Sequence, residues 1–227
     1  MLTLAYSSLT GHLIQLLKTR DEVRPVVSLL CSRNSAPDVG DYNKALRVLR
    51  YLYTTRHKGK VFKSSSIDIV GHADAGFGSH DDGCSQEAFF VCVGENNAPF
   101  ACVARAQADV ATCPMTAEYM SAAGCSKMIM QYRWLIASLG WPIETPTRLH
   151  VDCATARRLA IAPEITRKAL HIHVKHHYVR QCVARGEIVL VLVSSQEMRA
   201  DILTKYFPPP TFRRLVEVLL NRAALLL

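Results

Sequence analysis

The sequence has no uninterrupted apolar run of about 18 residues, so no segment has the length of a membrane-spanning helix. It also has no cysteine pair in CxxC spacing, and most of its eight cysteines lie in apolar runs, as buried free thiols do. The missing pairs argue against a structural zinc site and against a disulfide framework. We therefore expect a protein without a membrane span in an intracellular, reducing compartment, which leaves cytoplasm, nucleus and mitochondrion open.

The composition of the 227 residues is that of an ordinary globular protein, with 49% hydrophobic and 20% charged residues. The formal net charge of +8 and the pI near 9.2 favour an acidic partner, of which nucleic acid is the commonest. A basic protein without such a partner would have the same composition, so charge alone does not decide. The length allows one sizeable core, or one domain with an appendage.

The order of the predicted elements indicates a mixed α/β fold. Helical spacing dominates up to about residue 60, where a helix over 41–55 opens with Asp41 as its expected N-cap. Three β-rich runs, SIDIVGHADAGF, EAFFVCVGE and APFACVARA, are separated by turn-like segments and predict an antiparallel meander. A long helix follows, with Gly140 as its C-terminal signal and with Trp134 and Trp141 as expected core residues.

The rest of the chain alternates between strands and helices. We expect strands at TRLHVD and EIVLVLV, and helices at ATARRLAIA, RKALHIHVKHHYVRQCVARG and EMRADILTKYF, before an amphipathic terminal helix. The whole series predicts a central five-stranded mixed sheet flanked by helices. Neither an internal repeat nor a low-complexity linker interrupts it.

Four acidic residues occur in settings that suit metal ligation. Asp74 and Asp152 each end a strand-like run, Glu118 lies near the start of the long helix, and Asp201 follows another strand-like run. Carboxylates on separate rigid elements can converge on two divalent cations that clamp the oxygens of a phosphodiester. Taken singly, an aspartate at a strand end is more often a turn-former or a cap.

A second group of residues is basic and offers a candidate nucleic-acid surface. These side chains could track a phosphate backbone, or they could form a solvated face. Two histidines of the same segment, His173 and His177, stand four apart, which suits either a metal site or a helix that packs or contacts phosphate. The candidates for nucleic-acid binding are Arg157, Arg158, Lys168, Lys175, His177 and Arg180.

Six short words in the sequence resemble landmarks of one family. They are RVLRYLYTT, GHADAGFGS, TAEYMSAA, RLHVDCATA, HIHVKHHYVRQ and RADILTK. In this order and at these spacings they resemble the ribonuclease H domain of copia-type LTR retrotransposon polyproteins. The resemblance covers almost the whole chain. Residues before about Lys60 resemble the end of the reverse transcriptase thumb and connection region, and the polymerase palm has no counterpart here.

The resemblance implies a domain plan and a chemistry. The plan is a helical segment over residues 1–60, a ribonuclease H-like domain over 61–207 and a C-terminal helix over 208–227. The chemistry is hydrolysis of the RNA strand of an RNA–DNA hybrid with two Mg²⁺ ions, or Mn²⁺ in their place. In this scheme Asp74 bridges the ions, Glu118 and Asp152 complete one side, and Asp201 holds the other metal. Groove shape and 2′-hydroxyls would select the hybrid.

The sequence also departs from the family words near these acids. Gly76 stands where the family has a second Asp, Phe77 replaces a Trp, and Cys153 replaces an Asn. The intact acid quartet favours an active hybrid nuclease. The changed neighbours favour an alternative, a domesticated non-catalytic subunit that binds structured RNA or acts as a scaffold in a larger ribonucleoprotein, such as a mitochondrial ribosome or an RNA-processing complex.

Overall fold

The computed structural model describes residues 2–63, 67–80, 82–162 and 172–222. Its strands are β1 (Ile69–Gly76), β2 (Gln86–Val93), β3 (Pro99–Ala106), β4 (Thr147–Val151) and β5 (Ile188–Leu192). Its α-helices are α1 (Leu2–Leu16), α2 (Arg24–Ser32), α3 (Val39–Thr54), α4 (Pro114–Ser138), α5 (Ala154–Ile161), α6 (Tyr178–Ala184) and α7 (Pro209–Leu219).

The five strands form one mixed sheet in the order β3-β2-β1-β4-β5. The first three strands pair antiparallel and make the predicted meander, whereas β4 pairs parallel with both β1 and β5. Strands β1 and β2 are buried along almost their whole length because helices cover both faces of the sheet. The predicted fold class, a five-stranded mixed sheet flanked by helices, is confirmed.

The two faces of the sheet carry separate hydrophobic cores. On one face, α4, α5 and α6 pack against Phe89, Val91 and Leu149. On the other, a 3-10 helix (Arg199–Leu203) and α7 pack against Phe90. Each fully buried large apolar side chain contributes about 1.5–3 kcal/mol. The two cores together hold the sheet edge that carries the acids in a fixed position.

Close approach of α4 to the sheet depends on two glycines. A Cβ on Gly71 of β1 would lie 2.7 Å from Ile129 Cδ1 and 2.9 Å from Cys125 Sγ. A Cβ on Gly124 of α4 would lie 2.7 Å from the Phe89 ring. These positions therefore let the helix backbone lie directly on the strands, which sets the height of Glu118 above the sheet.

The three N-terminal helices form a third core of their own, built around Tyr6, Leu13 and Leu30. The Tyr6 hydroxyl donates to the Leu30 carbonyl oxygen at 2.7 Å and ties α1 to α2. A buried ion pair joins this core to the chain that follows, since Asp21 contacts Lys60 at 2.7 Å; its second contact, with Arg24 at 2.6 Å, lies within the N-terminal helices. The division at residues 60 and 207 stays a prediction.

Two helix ends show how the local sequence sets the boundaries. Helix α3 begins earlier than expected, because Asp38 rather than Asp41 is the N-cap; Asp41 is the third helical residue and completes a capping box with it. At the end of α4, Gly140 has φ +94°, and the amides of Gly140 and Trp141 bond back to the Ala137 and Ile136 carbonyls. This pair of bonds is a Schellman motif, as the glycine predicts.

Two predicted helices are shorter than expected. The segment EMRADILTKYF forms only the 3-10 helix Arg199–Leu203, because residues 200–203 are all buried and no amphipathic α-helical face is available. In RKALHIHVKHHYVRQCVARG, residues up to 171 lie outside the described part of the chain. His173 is extended and caps a 3-10 helix (Val174–His177) that leads into α6.

The expectation that the two tryptophans are core residues is wrong. Trp134 and Trp141 are 63% and 58% exposed. The 25 residues of α4 span about 37 Å, whereas an eight-residue strand spans about 26 Å. The last turns of α4 therefore project beyond the sheet, and Trp134 and Leu135 there stay exposed although Ile136 still packs against the core.

Each of the eight cysteines is a free thiol. No described helix combines the length and the apolar character that crossing a bilayer requires.

Candidate active site

Two of the predicted acids meet at one edge of the sheet because β1 and β4 are parallel neighbours. His72 pairs with His150 across these strands, and Asp74 and Asp152 each follow two residues later. Asp74 is fully buried, and Asp152, just past the end of β4, is half-buried. Parallel pairing thus brings together two carboxylates that are 78 positions apart in the sequence.

The third acid reaches the same edge from the opposite face of the sheet. Asp201 lies in the 3-10 helix Arg199–Leu203 and is 8% exposed. One carboxylate oxygen from each of Asp74, Asp152 and Asp201 lies within 4.8 Å of the others. Three oxygens at this spacing can share a divalent cation.

Glu118 approaches the cluster from the first turns of α4. Its carboxyl interacts electrostatically with Asp74 and Asp152 and accepts a hydrogen bond from the backbone amide of Ala75. Ser121, one turn later, donates to the Asp74 carbonyl oxygen at 2.8 Å and to the Ala88 carbonyl oxygen at 3.1 Å, which fixes the helix to two strands. The structure therefore brings Asp74, Asp152 and Asp201 together and places Glu118 near enough to interact with the first two.

The protonation of the site reflects crowded and buried negative charge. Burial, reinforced by the charges of Asp74 and Asp152, raises the pKa of Glu118 to about 9. Burial also raises the pKa of Asp74 to about 6, although a hydrogen bond from the Thr204 hydroxyl opposes this. The pKa of Asp201 is raised by burial as well, against the opposing effect of Lys205. Without a cation, Glu118 therefore holds a proton at neutral pH.

Lys205 supplies a positive charge inside this cluster. Its ammonium nitrogen lies 2.6 Å from Asp201 Oδ1. Burial lowers the pKa of Lys205, but the hydrogen bond to Asp201 and the charges of Asp74 and Asp152 outweigh that effect and raise it. On the other side, the Ser195 hydroxyl donates to Asp152 Oδ2 at 3.2 Å.

The residues present fit a hard divalent cation. All four candidate ligands offer carboxylate oxygens, the donors that Mg²⁺ and Mn²⁺ prefer. Asp74 Oδ1 is buried and has no hydrogen-bond partner in the described part of the chain. A buried carboxylate oxygen without a partner is costly unless a cation or proton satisfies it.

The sequence reading missed Lys205, Thr204 and Ser195. Lys205 stands four residues after Asp201, a spacing that places two side chains on the same side of a helical turn and is a usable signal. Ser195 and Thr204 left no comparable signal, because their contacts with Asp152 and Asp74 depend on the tertiary fold.

The predicted nucleic-acid residues are mostly engaged within the fold. Arg157 Nε donates to the Leu190 carbonyl oxygen at 3.0 Å, and Arg180 Nη1 donates to the Leu159 carbonyl oxygen at 2.7 Å. Arg158 is exposed, and Lys168 lies outside the described residues. A role of these side chains in nucleic-acid binding stays a prediction.

The histidines are also engaged with neighbouring side chains. His177 is buried, and its Nδ1 lies 2.9 Å from the Tyr119 hydroxyl. Asp109 lies 2.5 Å from Lys175 Nζ and 2.6 Å from His176 Nε2. His173 precedes the 3-10 helix, so His173 and His177 do not lie on one α-helix as the metal alternative assumed.

The class of protein follows from the sheet and the acids together. An antiparallel three-stranded meander extended by two parallel strands, with helices on both faces, is the architecture that the resemblance to ribonuclease H domains predicts. Two solved ribonuclease H structures are similar to the chain, each with a TM-score of 0.42. LC11-RNase H1, isolated from compost, is 12% identical and is matched over 60% of this chain and 92% of its own. The N-terminal RNase H domain of a Mycobacterium tuberculosis protein, solved as a fusion with maltose-binding protein, is 15% identical and is matched over 67% and 98%.

The sequence relatives narrow this class. The chain is 29% identical over 202 residues to the retrovirus-related Pol polyprotein from transposon RE2 of Arabidopsis thaliana, and 28% identical to that from transposon RE1, in both cases over 88% of the chain. It is 24% identical over 93% of its length to the Pol polyprotein from transposon TNT 1-94 of Nicotiana tabacum. Its homologues are thus retrovirus-related Pol polyproteins of copia-type transposons. The chain spans 14 to 16% of the length of these relatives. No protein-family model matches it.

Proposed function

We propose that this chain is a ribonuclease H-type endonuclease that cleaves the RNA strand of RNA–DNA hybrids by two-metal hydrolysis. The observation that carries the proposal is the convergence of Asp74, Asp152 and Asp201 within 4.8 Å, with Glu118 beside them. The ribonuclease H-like fold and the transposon Pol homologues support the same activity.

The four carboxylates, those of Asp74, Glu118, Asp152 and Asp201, would hold Mg²⁺ or Mn²⁺. Bound metal would supply a nucleophilic water and stabilise the leaving oxygen. The protein's own contribution is placement: parallel pairing fixes Asp74 and Asp152, Ser121 anchors α4 and hence Glu118, and Thr204 orients the Asp74 carboxylate.

The test is cleavage of a labelled RNA–DNA hybrid in Mg²⁺ and in Mn²⁺. We expect cleavage of the RNA strand by the unmodified chain, and a loss in Asp74→Asn larger than the roughly 10–100-fold typical of outer-shell changes. Asp68→Asn is the matched control, because Asp68 is exposed and lies just before β1, at the opposite end from Asp74. That variant should cleave at the unmodified rate.

Other outcomes would favour the alternative function. If the unmodified chain cleaves no hybrid in either metal but binds structured RNA with a steep salt dependence, the non-catalytic ribonucleoprotein subunit replaces the nuclease. Equal cleavage by Asp74→Asn and the unmodified chain would instead show that the acid cluster is not the site of reaction.

A further inference from the structure

A cleft opens between the N-terminal helices and the chain that follows Asp201, and it plays no part in the proposed chemistry. Its volume is about 490 Å³, within the range of roughly 300–1,000 Å³ that ligand pockets have. Residues from α2 and α3 form one side, and residues 202–212 form the other. We name it the interhelical cleft; its apolar walls are formed by Val26, Leu29, Tyr51, Tyr206, Phe207 and Phe212.

Aromatic side chains are concentrated in this cleft. Tyr206 is 91% exposed, although it sits between the partly buried Phe207 and the site lysine Lys205. Tyr51 of α3 and Phe212 of α7, which belong to opposite sides of the cleft, meet edge to face with their ring centroids 6.1 Å apart. Exposed aromatic faces beside a phosphodiester-cleaving centre are stacking platforms for unpaired bases.

The accessible charge of the cleft is positive. Lys44, Arg47 and Lys205 line it with exposed side chains. Of the two acids that also line it, Glu22 is buried and paired with Arg20 at 2.6 Å, and Asp41 is paired with Lys44 at 3.1 Å. The cleft therefore complements an anionic ligand that also carries flat apolar groups.

The cleft is continuous with the acid cluster. Lys205 lines the cleft and also contacts Asp201 at 2.6 Å. A smaller adjoining hollow shares Lys205 and Tyr206 with the cleft and extends to Thr204, whose hydroxyl donates to Asp74. A strand with a phosphate at the acids can therefore run past Lys205 into the cleft.

We propose that the interhelical cleft binds unpaired nucleotides that extend from the hybrid whose scissile phosphate lies at the acid cluster, an inference that rests on the proposed function. A base stacks on Tyr206, and the phosphates of the extension lie against Lys44 and Arg47. A volume of about 490 Å³ leaves no room for a paired duplex, so the site distinguishes hybrids with a single-stranded extension from blunt ones.

The first experiment compares two hybrids of identical sequence, one blunt and one with a single-stranded extension of about four nucleotides. Fluorescence anisotropy in Ca²⁺ measures binding without depending on cleavage. The unmodified chain should bind the extended hybrid more tightly. Tyr206→Ala should weaken that binding by about 5- to 150-fold and leave the blunt hybrid unaffected.

The matched control is Trp134→Ala. Trp134 is an exposed aromatic residue like Tyr206, but it lies 16 residues, about 24 Å, beyond Glu118 along α4. This variant should bind both hybrids as the unmodified chain does.

A second measurement tests the phosphate contacts. Arg47→Ala should lower the salt-dependence slope for the extended hybrid by about 0.7, because one single-strand phosphate contact is lost. Arg185→Ala removes an exposed arginine at the end of α6, outside the cleft, and should leave the slope unchanged. Both Tyr206 and Arg47 are exposed, so thermal unfolding should show these variants folded.

Equal affinity of the unmodified chain for blunt and extended hybrids overturns the inference, as does extension binding that is unchanged in Tyr206→Ala. A cleft that takes an apolar peptide would give these same results. If the chain cleaves the blunt hybrid but binds the extended hybrid no more tightly, the inference about the cleft is wrong and the proposed nuclease activity stands. If the chain binds the extended hybrid more tightly but cleaves neither hybrid, the proposed nuclease activity is wrong and the nucleotide-binding cleft stands.

Discussion

At the scale of single residues, Lys205 and a proton on Glu118 offset part of the negative charge of the acid cluster when no metal is bound. Lys205 contacts Asp201, and the raised pKa of Glu118, about 9, keeps that carboxyl neutral at pH 7. The sequence identified all four acids because each stands in a word typical of its family. The spacing of four residues between Asp201 and Lys205 is a signal for their contact, but it does not show that the turn between them is buried.

The first prediction concerns this internal cation. Lys205→Met should strengthen binding of Mg²⁺ or Mn²⁺ by roughly 10-fold, about 1.4 kcal/mol, because a positive charge that competes for Asp201 is removed. Isothermal titration calorimetry measures the change. Lys205→Arg keeps the charge and should bind metal as the unmodified chain does. Weaker metal binding by Lys205→Met would mean that the lysine supports the ion instead of competing with it.

The second prediction concerns pH. The folded-state pKa of Glu118, about 9, lies above its ordinary value of 4.5, so the folded chain holds a proton that the unfolded chain releases. The stability associated with this proton is complete below about pH 4.5 and is lost as pH rises toward 9. Thermal unfolding in a metal chelator should therefore show a melting temperature that falls over this window.

Glu118→Gln isolates that effect. The amide cannot ionise, so the melting temperature of this variant should fall less steeply between pH 5 and pH 9 than that of the unmodified chain. Identical pH profiles for the two proteins would show that Glu118 is ionised in the folded state at neutral pH.

At the scale of elements, strands were easier to foresee than short helices. The five strands are apolar runs bounded by turns, and all five appear where those runs lie. The sequence around Asp201 predicts a helix of about eleven residues, yet residues 200–203 are buried between the sheet and α7 and form only a 3-10 helix. Tertiary packing determines whether such a segment forms an α-helix or a 3-10 helix, and the spacing of its apolar residues does not predict the outcome.

The third prediction concerns the contact between α4 and the sheet. Gly71→Ala should lower the free energy of unfolding by about 1–3 kcal/mol, because its Cβ would lie 2.9 Å from Cys125 Sγ and 2.7 Å from Ile129 Cδ1. Urea denaturation measures the change. Gly11→Ala is the control, since Gly11 lies in α1 with nothing within 4 Å of an added Cβ. That substitution should stabilise the chain by about 0.5–1 kcal/mol.

At the scale of the whole molecule, buried charge joins the N-terminal helices to the remainder of the chain. The Asp21 side chain is fully buried and contacts both Arg24 and Lys60. No pattern in the sequence pairs Asp21 with Lys60, because the two residues are 39 positions apart and only the docked helices bring them together. The sequence does not predict the interhelical cleft either, because the cleft forms only when these helices dock against residues 202–212.

The fourth prediction tests that attachment. Asp21→Asn leaves Lys60 without its buried partner and should lower the free energy of unfolding by about 3–5 kcal/mol. Limited proteolysis should cut first within α1–α3. Asp38→Asn is the matched control, because asparagine also caps helices well and should change stability by only a few tenths of a kcal/mol. An equal, small effect of both substitutions would show that the ion pairs do not hold the helices in place.

The projecting end of α4 has a practical consequence for spectroscopy. Trp134 and Trp141 are the only two tryptophans in the chain, and both are largely in solvent at the far end of that helix. Intrinsic tryptophan emission should therefore be red-shifted and readily quenched by iodide in the native protein. The tryptophan emission should also change little when metal or nucleic acid binds. A Tyr206→Trp variant would place a fluorophore in the interhelical cleft, and the unmodified chain would serve as its control.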